Sequence, residues 1–221
     1  TITIKKQNFN KRLMKELNWD NYTDENKSPL FYEGYKRLLL DNVDLNKEMT
    51  VLDAGCGTGR WSLLMAPYVK KVIGLDNNQK AIDVLQNKVK QGNTNIETLC
   101  NSITSIPLPD NSVDMTFTNI TLQHITGDDF VKAVGEIKRV TKPGGQIVLI
   151  EHSFTLIKNT PDLVCRKPKE YAEAFKPAKL KKVSGVLFPY LKHLGLKKIS
   201  SFWLGKLLPM FSPQKLMVFE N

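Results

Sequence analysis

The sequence has few cysteines, no long apolar run and no internal repeat. Its 221 residues include only Cys56, Cys100 and Cys165, which lie far apart and form no C-x-x-C pair. Such a set argues against a disulfide framework and against a zinc cluster, so we expect a reducing compartment and no metal site. No apolar run reaches the roughly 18 residues of a membrane span. The N-terminal TITIKKQNFNKRL also lacks an apolar stretch, and we therefore expect a cytoplasmic protein.

The excess of positive charge is confined to one end of the chain. Residues 152–221 carry 13 Lys and Arg against 4 Asp and Glu, which accounts for +9 of the net +10. Three interpretations of this basic third stay open. Its lysines solvate an outer face, or they meet an anionic membrane or lipid-like substrate, or they bind RNA. Neither an RNA-binding module nor an Asn/Asp-Pro-Pro-aromatic motif occurs, which favours a lipid or small hydrophobic acceptor over nucleic acid.

The apolar pattern predicts an α/β fold. From Thr50, short apolar runs alternate with amphipathic helical patterns, as in βαβ units around a parallel sheet. The predicted strands are 50–54, 71–76, 95–99, 113–119 and 146–151, and the predicted helices lie near 59–69, 78–91 and 128–141. The sequence KPGG at 142–145 predicts a turn before the fifth strand.

The two ends of the chain give weaker patterns. Residues 1–49 predict two helices, the second beginning at Ser28-Pro29 and ending near Asn42. After the fifth strand we expect an insertion at 158–183, with a short helix around 168–175 and no strand. A helix near 184–194, a sixth strand in LKKISSFW and a seventh in KLMVFE follow. Length and composition fit a single domain over 1–221, with a helical cap at 1–49, a ligand-binding core at 50–151 and the basic third at 152–221.

The strongest motif is VLDAGCGTGRW at 51–61, an apolar strand that turns through Gly55, Gly57 and Gly59 into a helix. Glycines at such a turn allow unusual backbone angles and the close approach of a ligand. A dinucleotide fingerprint reads G-x-G-x-x-G, and counting from Gly55 its third glycine would fall on Arg60. The G-x-G-x-G spacing instead favours a nucleoside-amino acid ligand over a nicotinamide dinucleotide.

At this point the sequence resembles the class I S-adenosylmethionine-dependent methyltransferases, and among them the group related to ubiquinone and menaquinone biosynthesis. Four pieces carry the resemblance in order, namely VLDAGCGTG, VIGLDNN, IPLPDNSVD with TNITLQHI, and EIKRVTKPGGQIVLIE. The resemblance covers roughly 50–151. It implies a Rossmann-like, doubly wound sheet of seven strands, mostly parallel with an antiparallel last strand, N-terminal helices and an insertion after the fifth strand.

The resemblance also implies which residues contact S-adenosylmethionine. Asp76 would accept hydrogen bonds from both ribose hydroxyls, although in a plain structural interpretation it is a strand-end turn residue. The family often places an Asp after the third strand for the adenine, but this chain has Asn101 and Ser102 there, which makes that contact weaker. The implied cofactor-binding set is Asp53, Gly55, Cys56, Gly57, Gly59, Asp76, Asn77, Asn101, Ser102, Ile103 and Asn119.

His124 is the candidate general base, because an imidazole titrates near neutrality. The alternative interpretation, which we favour, is a histidine packed under the following helix, and His152 has the same two interpretations. Aromatic residues before the first strand would cap the sulfonium or simply pack. They are Trp19, Tyr22, Tyr32 and Tyr35.

The predicted function is therefore methyl transfer by direct displacement to a small-molecule or lipid-like acceptor. Methyl transfer needs a nucleophile held in line with the S–CH₃ bond, and no base is needed for an acceptor that is already deprotonated. The alternatives are an RNA or protein methyltransferase that uses the basic third, and a cofactor-binding subunit without activity whose basic surface recruits a partner.

Overall fold

A computed structural model describes residues 36–92, 95–153, 162–186 and 214–221. Helical residues 36–40 come first and end in a turn. The strands that follow are β1 Thr50–Ala54, β2 Lys71–Asp76, β3 Ile96–Cys100, β4 Val113–Asn119, β5 Thr141–His152, β6 Lys179–Val186 and β7 Gln214–Glu220. The helices are α1 Arg60–Met65, α2 Gln79–Lys90, α3 Gly127–Val140 and α4 Pro168–Ala174, with 3₁₀ turns at Ala66–Tyr68 and Leu122–His124.

These strands form a seven-stranded sheet in the order β3-β2-β1-β4-β5-β7-β6. Strands β1 to β5 pair in parallel, and β7 runs antiparallel to both β5 and β6. The strands β2 and β3 lie on one side of β1, whereas β4 and the later strands lie on its other side. At such a change in strand order, the carboxyl ends of the parallel strands leave a crevice for ligands. The predicted mostly parallel sheet with an antiparallel last strand is confirmed.

Both faces of the sheet are covered, because successive strand residues alternate between two apolar clusters. Val51 packs in one cluster with residues of α1, α2 and the helical segment 36–40. Leu52 packs in the other, with residues of α3 and α4. Strands that are buried on both faces have continuous apolar sequences, and for this reason their bounds could be predicted closely from the sequence. The predicted bounds of the first, second and fourth strands match the structure.

The fifth strand is longer than predicted. It begins at Thr141, which pairs with Val113, and the register then shifts before the next pair, Met115 with Gln146. The predicted KPGG turn therefore lies within the strand as an irregularity, with Gly144 at φ 74°. Glycine tolerates this angle without a Cβ clash, and the backbone amide of Gly144 donates to the carbonyl of Asn221.

The prediction of no strand within 158–183, followed by a helix near 184–194, is wrong for residues 179–186. These residues form β6, the edge strand, with a register shift between Leu180 and Lys182. An edge strand that carries exposed lysines has few apolar positions, so its pattern does not look like a core strand. The LKKISSFW segment, the first predicted helix and all four capping aromatics lie outside the described residues. Within the described ranges, no helix is long and apolar enough to cross a bilayer.

Candidate functional site

The glycine loop between β1 and α1 adopts positive φ angles that only glycine adopts easily. Gly55, Gly57 and Gly59 have φ of 78°, 53° and 86°. A Cβ on Gly55 would overlap the side chain of Thr121, and one on Gly59 would overlap Leu85. A Cβ on Gly57 would meet nothing within 4 Å, so open space lies beside the middle of the loop. The loop is thus closely packed at both ends and open at its centre.

Asp76 lies at the carboxyl end of β2, beside this loop. One carboxylate oxygen accepts from the backbone N–H of Gly57 at 2.9 Å, and the other accepts from that of Asn78 at 2.9 Å. Each carboxylate oxygen has a second lone pair, so the group keeps capacity for further donors. A carboxylate with this capacity next to an open glycine loop fits the ribose of the cofactor that the family resemblance implies.

Asp53 supports the loop from inside the fold. Its side chain is buried and accepts a hydrogen bond of 2.6 Å from the hydroxyl of Ser62 in α1. Burial raises the pKa of Asp53 from 3.8 to about 7, against the lowering effect of Ser62. Cys56 is also buried beneath the loop, and this burial raises the pKa of its thiol. These two residues therefore stabilise the loop's shape, and direct contact of either with a ligand stays a prediction.

The residues after β3 lie on the other side of Asp76. The backbone N–H of Asn101 donates to the carbonyl of Asp76 at 3.1 Å. The side-chain oxygen of Asn101 accepts from the N–H of Ser102, and the Ser102 hydroxyl lies 2.7 Å from that of Thr104. Ile103 is buried among the core residues. Asn77 is exposed, and its carbonyl lies 3.9 Å from the Cys100 sulfur. The structure thus brings the predicted ribose and adenine residues to one edge.

The chain turns sharply after Asn119, the last residue of β4. Ile120 has φ of 54°, which is strained for a β-branched residue, and its N–H donates to the carbonyl of Ile150 at 2.8 Å. Thr121 then packs on Gly55, and its hydroxyl bonds the carbonyl of Asn119. The 3₁₀ turn Leu122–His124 is thereby held directly beside the glycine loop. Backbone strain of this kind often occurs at functional sites.

Glu151, which the sequence analysis did not select, anchors this turn. One of its oxygens accepts from the N–H groups of Thr121 at 3.1 Å and Leu122 at 3.0 Å, and the other accepts from that of Gln123 at 3.3 Å. Burial raises the pKa of Glu151 from 4.5 to about 7, while these bonds lower it. The available sequence signal was a glutamate near the end of an apolar strand, as in QIVLIE. A buried acid at such a position needs hydrogen-bond donors around it.

Arg166 holds the same turn from its carbonyl side and was also missed. Its guanidinium donates to the carbonyls of Leu122 and Ile125, each at 2.9 Å, and lies 3.6 Å from the ring centre of Phe130. The acidic and basic groups therefore bond opposite ends of one short turn. No local sequence pattern predicts this role of Arg166, because the two carbonyls that it bonds lie more than 40 residues away in sequence.

The two candidate histidines are linked through Gln123. His124 is exposed, so it is not packed under α3, and its Nε2 lies 3.2 Å from the Gln123 amide nitrogen. The Nδ1 of His152 lies 2.8 Å from the Gln123 amide oxygen. Burial, and secondarily the charge of His124, lowers the pKa of His152. Whether either histidine acts as a general base stays a prediction.

Known proteins resemble this chain in sequence and in fold. The methyltransferase domain family matches residues 51–145, from β1 into β5. The chain is 31% identical over 137 residues to the uncharacterized methyltransferase YcgJ of Bacillus subtilis, covering 61% of this chain and 52% of that protein. It is 34% identical over 113 residues to the demethylmenaquinone methyltransferase of Listeria welshimeri, covering 49% of this chain and 47% of that protein. The matched region thus spans about half of each relative's length.

The fold extends the likeness beyond the matched core. The crystal structure of Bacillus subtilis YcgJ superposes with a TM-score of 0.63 at 18% identity, covering 86% of this chain and 99% of that chain. At this identity the superposition concerns the fold. The motif order, the domain match and the relatives agree with it. The family model, the relatives and the fold together support a class I S-adenosylmethionine-dependent methyltransferase, with the methyltransferase domain matched over residues 51–145.

Proposed function

We propose that this protein transfers a methyl group from S-adenosylmethionine to a small-molecule or lipid-like acceptor. The observation that carries the proposal is the glycine loop, open at Gly57 and bordered by the Asp76 carboxylate. It lies at the carboxyl ends of β1 and β2, the edge at which ligands of such sheets bind. The anchored turn Leu122–His124 borders the same loop and would form one wall of the acceptor side.

The cofactor contacts follow from the positions of these groups. Asp76 would accept from the ribose hydroxyls, and the backbone at Gly55 and Gly57 would lie against the methionine part. Asn101 and Ser102 would bond the adenine edge while Ile103 packs near its ring. Asn119 ends the strand beside the amino acid end. Asp53 and Cys56 contribute by holding the loop in shape from beneath.

Methyl transfer requires the protein mainly to position the acceptor relative to the methyl group. When bound, the cofactor supplies an electrophilic methyl group on a sulfonium sulfur. The acceptor would supply the nucleophile, and the cofactor would supply the methyl carbon, with its sulfur as the leaving group that keeps the electron pair of the S–CH₃ bond. The turn Leu122–His124 would hold the acceptor in line and keep water out, which are the effects that accelerate such a displacement.

The acceptor class rests on the relatives and on charge. The Listeria welshimeri relative is a demethylmenaquinone methyltransferase, and its name indicates a hydrophobic quinone-like acceptor, which in its reduced quinol form carries phenolic hydroxyls. The basic residues at 152–221 would favour an acceptor with an anionic group. Contact of this third with a membrane surface remains part of the proposal, because half of it lies outside the described residues.

The first experiment is calorimetric binding of S-adenosylhomocysteine to the wild-type chain, to Asp76→Ala and to Asp76→Asn, with NAD as the control ligand. Asp83→Ala is the matched control, because it removes an exposed carboxylate from α2 that lies away from the loop. A hydrogen bond to a charged group contributes about 1.5 to 3 kcal/mol, so losing one should raise Kd about 10- to 100-fold. Asp83→Ala should bind like the wild type.

Each result has a defined meaning. Micromolar binding that Asp76→Ala loses supports the cofactor site, and an acceptor screen with amphipathic phenols and amines follows. Binding of NAD in preference to S-adenosylhomocysteine would overturn the proposal. If S-adenosylhomocysteine binds but only RNA, protein or no acceptor is methylated, the acceptor class is wrong and the alternatives take its place.

A further inference from the structure

The backbone N–H, the backbone carbonyl and both polar side-chain atoms of Gln123 each have a hydrogen-bond partner, although the residue is only 3% exposed. Its backbone N–H donates to Glu151, and its carbonyl accepts from the N–H of Val164 at 2.8 Å. Its amide side chain reaches His152 on one side and His124 on the other. A buried amide with all groups satisfied has a single favourable orientation, because any flip leaves donors facing donors.

That orientation is set by a backbone group. The N–H of His152 points at the side-chain oxygen of Gln123 at 3.3 Å, and a backbone N–H can only donate. The atom facing it is therefore the oxygen, and the atom facing Nε2 of His124 at 3.2 Å is the amide nitrogen. The amide nitrogen carries only hydrogens to offer, so Nε2 of a neutral His124 must accept. Its ring proton then sits on Nδ1.

The same reasoning assigns His152. Its Nδ1 lies 2.8 Å from the Gln123 oxygen and must donate to it, so Nε2 is left as an acceptor toward the amide nitrogen of Gln214 at 3.2 Å. Burial lowers the pKa of His152, which agrees with a neutral ring. Gln214, His152, Gln123 and His124 thus form one chain of side chains in which each of the three contacts joins a donor to an acceptor.

We propose that Gln123 is a positioning residue that holds His124 in the Nδ1–H tautomer, so that this ring is a hydrogen-bond donor at the acceptor side and not a general base. Glu151 and Arg166 fix the turn that carries both residues. The role at the acceptor side rests on the proposed function. A donating His124 ring selects acceptors whose nucleophilic oxygen is already anionic, such as a phenolate, because an N–H donor stabilises the anion. No proton moves in the methyl transfer itself.

The tautomer can be measured without any acceptor. Long-range ¹H–¹⁵N spectra of protein with labelled histidine distinguish a protonated ring nitrogen from an unprotonated one. The chain has three histidines, so His124→Gln and His152→Gln assign the signals. At about pH 8, where an ordinary imidazole is neutral, Nε2 of His124 should be unprotonated and Nδ1 protonated. An Nε2–H tautomer in the wild type would overturn the proposal.

Two variants test the cause. Gln123→Leu removes the amide, and His124 should shift toward the Nε2–H tautomer that free histidine prefers. Gln123→Glu offers only acceptor oxygens, so it should place the proton on Nε2 even if Gln123→Leu does not fold. Gln86→Leu, which removes a half-buried amide bonded to Thr98, is the matched control and should leave the wild-type pattern. An unchanged tautomer in Gln123→Glu would sink the assignment.

Binding of S-adenosylhomocysteine separates this proposal from the proposed function. Folded Gln123 variants should keep wild-type affinity, because the Gln123 side chain bonds the two histidines and not the groups that are proposed to hold the cofactor. A wild-type chain that fails to bind would overturn the proposed function and leave the tautomer result standing.

Discussion

Replacing Asp53 with Asn should make the protein's stability less dependent on pH. Burial raises the pKa of Asp53 from 3.8 to about 7 in the folded state, whereas the unfolded chain restores the ordinary value. The folded state then binds more protons at this carboxyl between about pH 4 and pH 7. Its contribution to stability is present below about pH 4 and is lost as pH rises through about 7.

The size of the effect follows from the shift. A difference of about three pKa units, at about 1.36 kcal/mol per unit, sets an upper value of about 4 kcal/mol. Structural relaxation reduces the cost of a buried charge, so we expect a loss of about 2 to 4 kcal/mol. Asp53→Asn keeps an oxygen for the Ser62 hydroxyl and has nothing to ionise. Relative to this variant, the wild type should lose that amount between about pH 4 and pH 8.

Urea unfolding of both proteins across this range, at constant ionic strength, provides the free energies. The difference between wild type and variant is the informative quantity, because Glu151 has a similarly raised pKa of about 7 and changes both proteins alike. Asp83→Asn, which removes an exposed carboxyl, controls for the change in net charge. A difference that stays flat, or that grows in favour of the wild type as pH rises, would refute the argument that burial dominates at Asp53.

Three further changes test the packing of the site. Gly55→Ala should cost at least about 1 to 2 kcal/mol, because φ of 78° is strained for alanine and its methyl overlaps Thr121; a wild-type urea midpoint would contradict this. Arg166→Met should cost about 2 to 4 kcal/mol by leaving two carbonyls unpaired, and faster amide exchange at 121–125 should accompany it. Phe117→Ala, beneath Trp61 in the core, should cost about 3 to 5 kcal/mol in the same urea assay, and a loss under 1 kcal/mol would show that the core collapses around it.

The central strands could be predicted because their signal is local. Strands β1, β2 and β4 are buried on both faces, so their apolar runs are continuous and bounded by turns. The prediction failed at the edge of the sheet, where β6 carries exposed lysines and is stabilised by pairing with β7. Pairing with a distant strand has no signature within the strand itself, so neither β6 nor the early start of β5 could be found from periodicity.

The candidate site was also predictable from the sequence only in part. The glycine loop and Asp76 were predictable, since a ligand that approaches the backbone requires glycine and a strand-end carboxylate at fixed spacing, and both requirements appear within one βαβ unit. The roles of Glu151 and Arg166 were not, because the turn they bond lies 28 or more residues away in sequence. The orientation of the Gln123 amide was not predictable either, because it is set by His152, 29 residues away. The sequence by itself determined the order of the core elements and the glycine loop, and it indicated the methyltransferase domain. Only the tertiary structure decided how the turn beside that loop is held, since a buried acid, a buried base and a buried amide need partners that folding alone brings within hydrogen-bond distance.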